Sequence, residues 1–217
     1  KVVRRYEHDQ RSFTQGLEFD GEDTMLEGTG LYGKSLLRRL RYKDSKVLQE
    51  TALDEDLFGE GITVYQDFIV QLTWKENVAL VYDKNSLERK GSFTYPYEGW
   101  GAVTMGDSLI TTDGTNVLSD LASTGVAVRI AIRLNELENV EGELWANLWP
   151  TETIIRIDPK SGRILGWVDL RGLRRECEKI AGPMKQLDVL NGIAFHKGSQ
   201  GRKLIVTGKW WPRSFEI

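Results

Sequence analysis

Glu60 lies in the run Phe58-Gly59-Glu60-Gly61, where two glycines bring backbone close and leave the carboxylate free of neighbouring side chains. A carboxylate beside aromatic rings loses solvent, and its pKa climbs toward the range in which one group can take and return a proton near neutrality. The alternative for such a Glu is structural, accepting hydrogen bonds from its own turn. Trp74, Trp100 and Trp149 are three of the seven tryptophans, and indoles grouped at one face would make a dry, rigid binding wall. Asn135 and Lys209 offer donors with no proton-transfer duty at neutral pH, which suits them to a developing oxyanion. Asn191 reads equally as a structural residue bonded to its own turn, and is left out of the catalytic set.

A repeat must position these groups. Gln15, Glu60, Trp100, Asn135 and Asn191 each open a short alternating apolar run, as in Gln15-Gly16-Leu17-Glu18-Phe19 and Asn191-Gly192-Ile193-Ala194-Phe195. After each opener come a turn and a second run, such as Asp67-Phe68-Ile69-Val70, then a third run ending in a turn such as Ile157-Asp158-Pro159. Four short strands recurring about every 40 to 50 residues are the pattern of a propeller blade. The fold class is therefore all-β, a five-bladed β-propeller in a single domain spanning 1–217. The last interval between openers is the longest because it holds a helix-like insert, Gly172 to Leu187, and the last unit ends one strand short. Val2 to His8 is expected to supply that strand, closing the ring by pairing the N-terminal segment into the last blade and hiding the sheet edges.

Aligning the third strands on Leu40, Tyr82, Ile157 and Ile217 makes Tyr32, Trp74, Trp149 and Lys209 equivalent, all in the connection between second and third strands. These positions and the openers should converge on one funnel over the central channel. Trp145, Trp167 and Trp210 or Trp211 are assigned to packing between blades, and Arg38, Arg39 and Arg41 to a solvated strand edge.

Composition removes other classes. With 40% hydrophobic and 28% charged residues and a net charge of -3, the chain has a core-forming composition and no basic stripe for nucleic acid. No apolar run approaches the roughly 20 residues of a membrane helix. Cys177 is the single cysteine, so there is no internal disulfide, and His8 and His196 lack cysteine partners at zinc-ligand spacing. A hard cation such as calcium, held by oxygen atoms in the central channel, stays open as a structural element. A Gly-x-Ser-x-Gly elbow is absent from the sequence.

The segments Phe13-Thr14-Gln15-Gly16-Leu17, Phe58-Gly59-Glu60-Gly61, Leu72-Thr73-Trp74, Glu98-Gly99-Trp100-Gly101, Leu134-Asn135-Glu136, Trp145-Ala146-Asn147-Leu148-Trp149, Asp188-Val189-Leu190-Asn191-Gly192 and Thr207-Gly208-Lys209 together resemble the plant and bacterial type of glutaminyl cyclase. That resemblance implies a five-bladed propeller that converts an N-terminal glutamine to pyroglutamate with loss of ammonia. It implies Glu60 as acid and base, Asn135 and Lys209 as polar partners of the substrate, and Phe13, Gln15, Phe58, Trp74, Trp100 and Trp149 as pocket wall. It further implies a secreted or extracytoplasmic monomer acting on N-terminal glutaminyl peptides or proteins, with no required cofactor. Two departures stand out. The third blade is short, with Thr115 to Ser123 running almost directly to Val126 to Ile130, and Pro150 follows Trp149 where the family usually has Gln.

Two rival readings are a propeller that binds a peptide or sugar in its aromatic funnel without turning it over, and a calcium-dependent propeller hydrolase such as a lactonase. The second would need several carboxylates around the channel, whereas Glu60 is the one acidic opener.

Overall fold

Apolar residues at every second position make amphipathic strands, and a turn residue after each run folds the chain back on its neighbour. In the computed structural model, which describes residues 1–121, 128–129, 133–198 and 201–217, nearly the whole chain is built this way. β1 (Arg4–Glu7) comes first, followed by β2 (Thr14–Phe19), β3 (Thr24–Thr29), β4 (Leu36–Arg41) and β5 (Lys46–Ala52) as blade one. Blade two is β6 (Gly59–Tyr65), β7 (Phe68–Thr73), β8 (Val78–Asp83) and β9 (Arg89–Thr94). Blade three is β10 (Ala102–Met105), β11 (Ser108–Thr112), β12 (Val117–Asp120) and β13 (Val128–Arg129). β14 (Leu134–Val140), β15 (Glu143–Leu148), β16 (Thr153–Ile157) and β17 (Ile164–Asp169) form blade four. After α1 (Leu173–Ala181), the chain ends in β18 (Leu190–Gly198), β19 (Gly201–Gly208) and β20 (Arg213–Glu216).

Each blade is an antiparallel four-stranded sheet, and the five make a five-bladed propeller. The fifth has the order β1-β20-β19-β18. Arg4 stands opposite Glu216 and Glu7 opposite Arg213, so the ring closes as expected, on an N-terminal outer strand. Burial falls from the axis outward: β6 opens with five buried residues, while β9 has none. Apolar packing lies between blades. Leu26 and Leu37 meet Ile62, Ile69 and Leu80 between blades one and two. Val103 and Leu118 meet Leu137 and Ile155 between three and four, and Leu17 and Met25 meet Ala194 and Ile205 between five and one. Blade pairs hold the core, and no single blade could bury it alone.

Four of the five innermost strands carry a register shift at the opener, between Thr14 and Gly16, Gly59 and Ile62, Leu134 and Leu137, and Leu190 and Ile193. A bulge leaves a residue outside the ladder and re-aims its side chain. Gln15, Glu60, Asn135 and Asn191 all sit within these shifts, while Trp100 precedes β10. Glycine beside the opener is a matter of room. A Cβ at Gly61 would lie 2.6 Å from Trp100 O and 2.7 Å from Ala102 N, because adjacent innermost strands touch backbone to backbone.

Several expectations are corrected. Arg38 is 4% exposed and pairs with Glu27 at 2.6 Å, and Arg39 pairs with Asp20 at 2.5 Å. Only Arg41, paired with Asp44, is solvated as expected. Trp167 is 55% exposed on the outermost strand β17 and packs little, whereas Trp211 is fully buried. The insert is helical only over α1, because Gly182 leaves helical geometry at φ 79 and Pro183 follows. The third blade has four strands despite its brevity. Of the run expected at Val126 to Ile130, Val128 and Arg129 form β13 and the other three residues lie outside the described residues, as do Ala122 and Ser123 of the preceding run. Among the described residues, no helix is long and apolar enough to cross a membrane.

Candidate active site

Phe13, Gln15, Phe58, Glu60, Trp74, Trp100, Asn135, Trp149 and Lys209 line one cavity of about 170 Å³. It lies where the bulged openers meet the connections that follow the second strands. Its volume is below the roughly 300–1,000 Å³ of pockets that hold drug-sized ligands, which leaves room for about one side chain. Three wider depressions of about 580, 440 and 330 Å³ lie elsewhere, each lined by several charged side chains.

The walls are aromatic and interlocked. Phe13 stands edge-on to Phe58 at 6.2 Å, Phe58 meets Trp74 at 5.4 Å, and Trp100 meets Trp149 edge-on at 5.8 Å. Such edge-to-face pairs fix ring orientation beyond what burial alone does. Arg133 covers Trp149 at 5.3 Å, and Lys75 covers Trp74 at 3.9 Å. The Trp149–Pro150 peptide is cis.

Glu60 is 5% exposed. Gln15 Nε2 donates to its Oε1 at 3.0 Å, and Gln15 is itself aimed by Asn191, whose Nδ2 donates to Gln15 Oε1 at 3.4 Å and to Thr14 O at 3.0 Å. Burial raises the Glu60 carboxyl well above the usual range. The charge of Lys209 works against that rise, and those of Glu76 and Glu98 add to it. Burial likewise lowers the Lys209 ammonium, opposed by Glu60 and Asp188. Lys209 Nζ rests 4.6 Å from the centre of the Phe13 ring. Asn135 is buried, and its Oδ1 has no partner within the protein, which leaves an acceptor for an N–H of a ligand. The arrangement can move a proton at Glu60 and offer donors beside it, inside an apolar wall.

Two positions drawn into the funnel by register lie elsewhere. Tyr32 is 49% exposed; it packs edge-on to the back of Phe58 and donates to Glu76 Oε1 at 2.8 Å. Asn191 is fully buried and outside the lining. Its bonds reach the neighbouring blade rather than its own turn, so it orients Gln15. Trp210, one of the tryptophans assigned to packing, packs on the pocket residue Phe13 at 4.8 Å, and the residue left without a role in the sequence is Glu98, whose Oε2 accepts from Trp74 Nε1 at 2.9 Å and Trp100 Nε1 at 3.3 Å. Glu98 heads the segment Glu98-Gly99-Trp100-Gly101, and that adjacency was its available signal.

The opener count missed three further carboxylates, Glu18, Glu136 and Glu138, on the innermost strands β2 and β14. They accept backbone N–H bonds across the ring: Val64 N to Glu18, Leu17 N and Ile193 N to Glu136, and Phe195 N to Glu138. Burial raises all three, Glu18 to about 7. Among the described residues, no group of three His, Cys, Asp or Glu side chains is placed to hold a metal ion. The residues seen here therefore do not fit a calcium site built from side chains.

A sequence model of the glutamine cyclotransferase family matches residues 1–217. The chain belongs to that family. It is 39% identical over 228 residues to the glutaminyl-peptide cyclotransferase of Arabidopsis thaliana, an alignment that covers 100% of this chain and 70% of the relative. The crystal structure of Myxococcus xanthus glutaminyl cyclase superposes with a TM-score of 0.89 at 30% identity, covering 100% of this chain and 94% of that one. A structure of a nidogen/laminin complex, at 15% identity and a TM-score of 0.54 with 85% of each chain covered, shares the fold alone. Family membership fits the cavity, in which one carboxyl stands among aromatic rings.

Proposed function

We propose that the protein is a glutaminyl-peptide cyclotransferase, closing an N-terminal glutamine into pyroglutamate and releasing ammonia. One observation carries the reading: Glu60 is the single carboxyl lining an aromatic cavity of side-chain size, and burial raises its pKa. Family membership points the same way.

The reaction is intramolecular. The α-amine attacks the side-chain amide carbonyl, a new N–C bond forms, and the bond to the amide nitrogen breaks. Trp74, Trp100 and Trp149 hold the methylenes curled so that amine and carbonyl meet, and such positioning supplies much of the rate. Glu60 accepts a proton from the attacking amine and delivers it to the departing nitrogen, which leaves as ammonia. A raised pKa suits both steps, because the group must give the proton back as readily as it takes it. The Lys209 ammonium and the Nδ2 of Asn135 serve as donors to the oxygen that becomes negative in the tetrahedral intermediate, where a well-placed donor contributes about 2.7–4 kcal/mol. Gln15, held by Asn191, keeps the Glu60 carboxyl at a fixed angle. Each step uses the chain's own groups, so no cofactor is called for.

Incubating the protein with a Gln-initiated peptide and following its mass tests the reading. A product lighter by one ammonia is expected. A peptide that binds tightly but keeps its mass would instead mark a non-catalytic binding propeller.

A further inference from the structure

Glu98 is outside the cavity lining and moves no proton in the mechanism above, yet it touches two of the walls. A single oxygen, Oε2, accepts the indole N–H of both Trp74 and Trp100. These indoles come from different blades, Trp74 from the end of β7 and Trp100 from the entry to β10. A sheltered indole N–H needs an acceptor, and a charged one binds it about twice as strongly as a neutral one.

Glu98 is itself held in place. Gly99 N donates to Trp74 O at 2.9 Å and Thr73 O at 3.2 Å. The Tyr95 hydroxyl donates to Thr73 O at 2.5 Å and accepts from Thr73 N at 3.0 Å, and Asn77 donates from its side chain to Tyr97 O. A Cβ at Gly99 would run into Tyr95 Oη and Thr73 O. The segment from Tyr95 to Gly99 is therefore clamped onto the end of β7, with its carboxylate between the two indoles.

We propose that Glu98 is a positioning residue for the cyclisation, fixing the slot between Trp74 and Trp100 in which the glutamine side chain is curled. The proposal rests on the cyclotransferase reading. Glu98 also acts on Glu60 through charge, together with Glu76 and against Lys209, so the test must separate geometry from charge. Glu98→Gln keeps an acceptor oxygen at the same reach and removes the charge. Glu98→Asp keeps the charge and withdraws it by one methylene, out of reach of both indoles together.

Initial rates on a Gln-initiated peptide should be measured for wild type, Glu98→Gln, Glu98→Asp and Glu98→Ala. Indole N–H resonances should be followed by nitrogen-resolved NMR, assigned through Trp74→Phe and Trp100→Phe. Glu98→Asp and Glu98→Ala are expected to lower kcat about 10- to 100-fold, the scale of a small misplacement in a positioned reaction, and to move both indole resonances. Glu98→Gln should retain most of the activity. Wild-type rates in Glu98→Asp, or a Glu98→Gln as impaired as Glu98→Ala, would overturn the geometric role. If Glu98→Ala does not fold, Glu98→Asp and Glu98→Gln decide between them. A wild-type protein that releases no ammonia would count against the cyclotransferase reading instead, and the indole shifts in Glu98→Asp would still test the clamp.

Discussion

Glu27 and Glu60 are the same residue type on neighbouring blades, exposed by 0% and 5%, and the fold treats them in opposite ways. Burial pushes both carboxyls up. At Glu27 that push is overcome by Arg38 at 2.6 Å, His8 at 3.1 Å and Thr14 at 2.7 Å, which hold the carboxyl down at about 2. The lining gives Glu60 one amide donor from Gln15, while Lys209 supplies charge that only partly offsets the burial. Their cationic neighbours diverge as well. Burial lowers His8, but the bond to Glu27, its charge and the bond to Trp211 O together outweigh that and leave it raised, whereas Lys209 stays lowered. A fully partnered buried charge belongs to the scaffold, and an under-partnered one is available for chemistry.

Removing each carboxyl in turn should separate the two. Glu60→Gln is expected to lower ammonia release by about 10²- to 10⁴-fold while thermal unfolding followed by circular dichroism stays at or above the wild-type midpoint; equal rates would end the assignment of Glu60. Glu27→Gln should do the reverse. It takes from Arg38 its buried counter-charge, leaving only the partly exposed Asp9, and should lower the unfolding free energy by about 3 kcal/mol in urea titrations, with KM unchanged for the protein that remains folded. The sign follows from the depressed pKa. Glu27 contributes stability above the ordinary carboxyl value and loses it as pH falls through about 2, so the variant should lack that acid limb.

Lys209→Met should cost about 10²- to 10³-fold in kcat if the ammonium meets the oxyanion. Because the Lys209 charge lowers the Glu60 pKa, the acid limb of kcat/KM should also move to higher pH. A limb that stays put or moves down would mean that Lys209 does not act on Glu60. The smallest effect is expected at Glu18, which burial raises to about 7 against the charge of Lys84. A raised carboxyl loses stability as pH rises through its folded value. Glu18→Gln should therefore gain about 1 kcal/mol at about pH 8 and nothing at about pH 4, the gain trimmed because Glu18 is only half-buried. Chemical unfolding at the two values checks it.

The propeller was legible because period-2 alternation and turn residues repeat along the chain, and a missing last strand had a matching surplus at the start. The cavity was legible through register, which brought Glu60, Trp74 and Lys209 together without any spatial information. What escaped depended on partners distant in sequence. Arg38 looks like a surface charge until Glu27 arrives from β3, and Trp167 looks like packing until β17 proves outermost. Asn191 appears self-contained until the ring sets it against Gln15. Alternation says which residues face inward, but not which of them find a counter-charge there.

Closing the ring with β1 against β20 has a consequence for biosynthesis. A chain emerging from the ribosome presents β1 before β20, so the outermost strand of blade five waits unpaired while blades one to four are made. Asn191 and Lys209 also belong to that late blade. The proton-handling centre therefore takes shape only once blade five is made, and a nascent chain halted before β20 would have β1 still seeking a neighbour and its cavity open on one side.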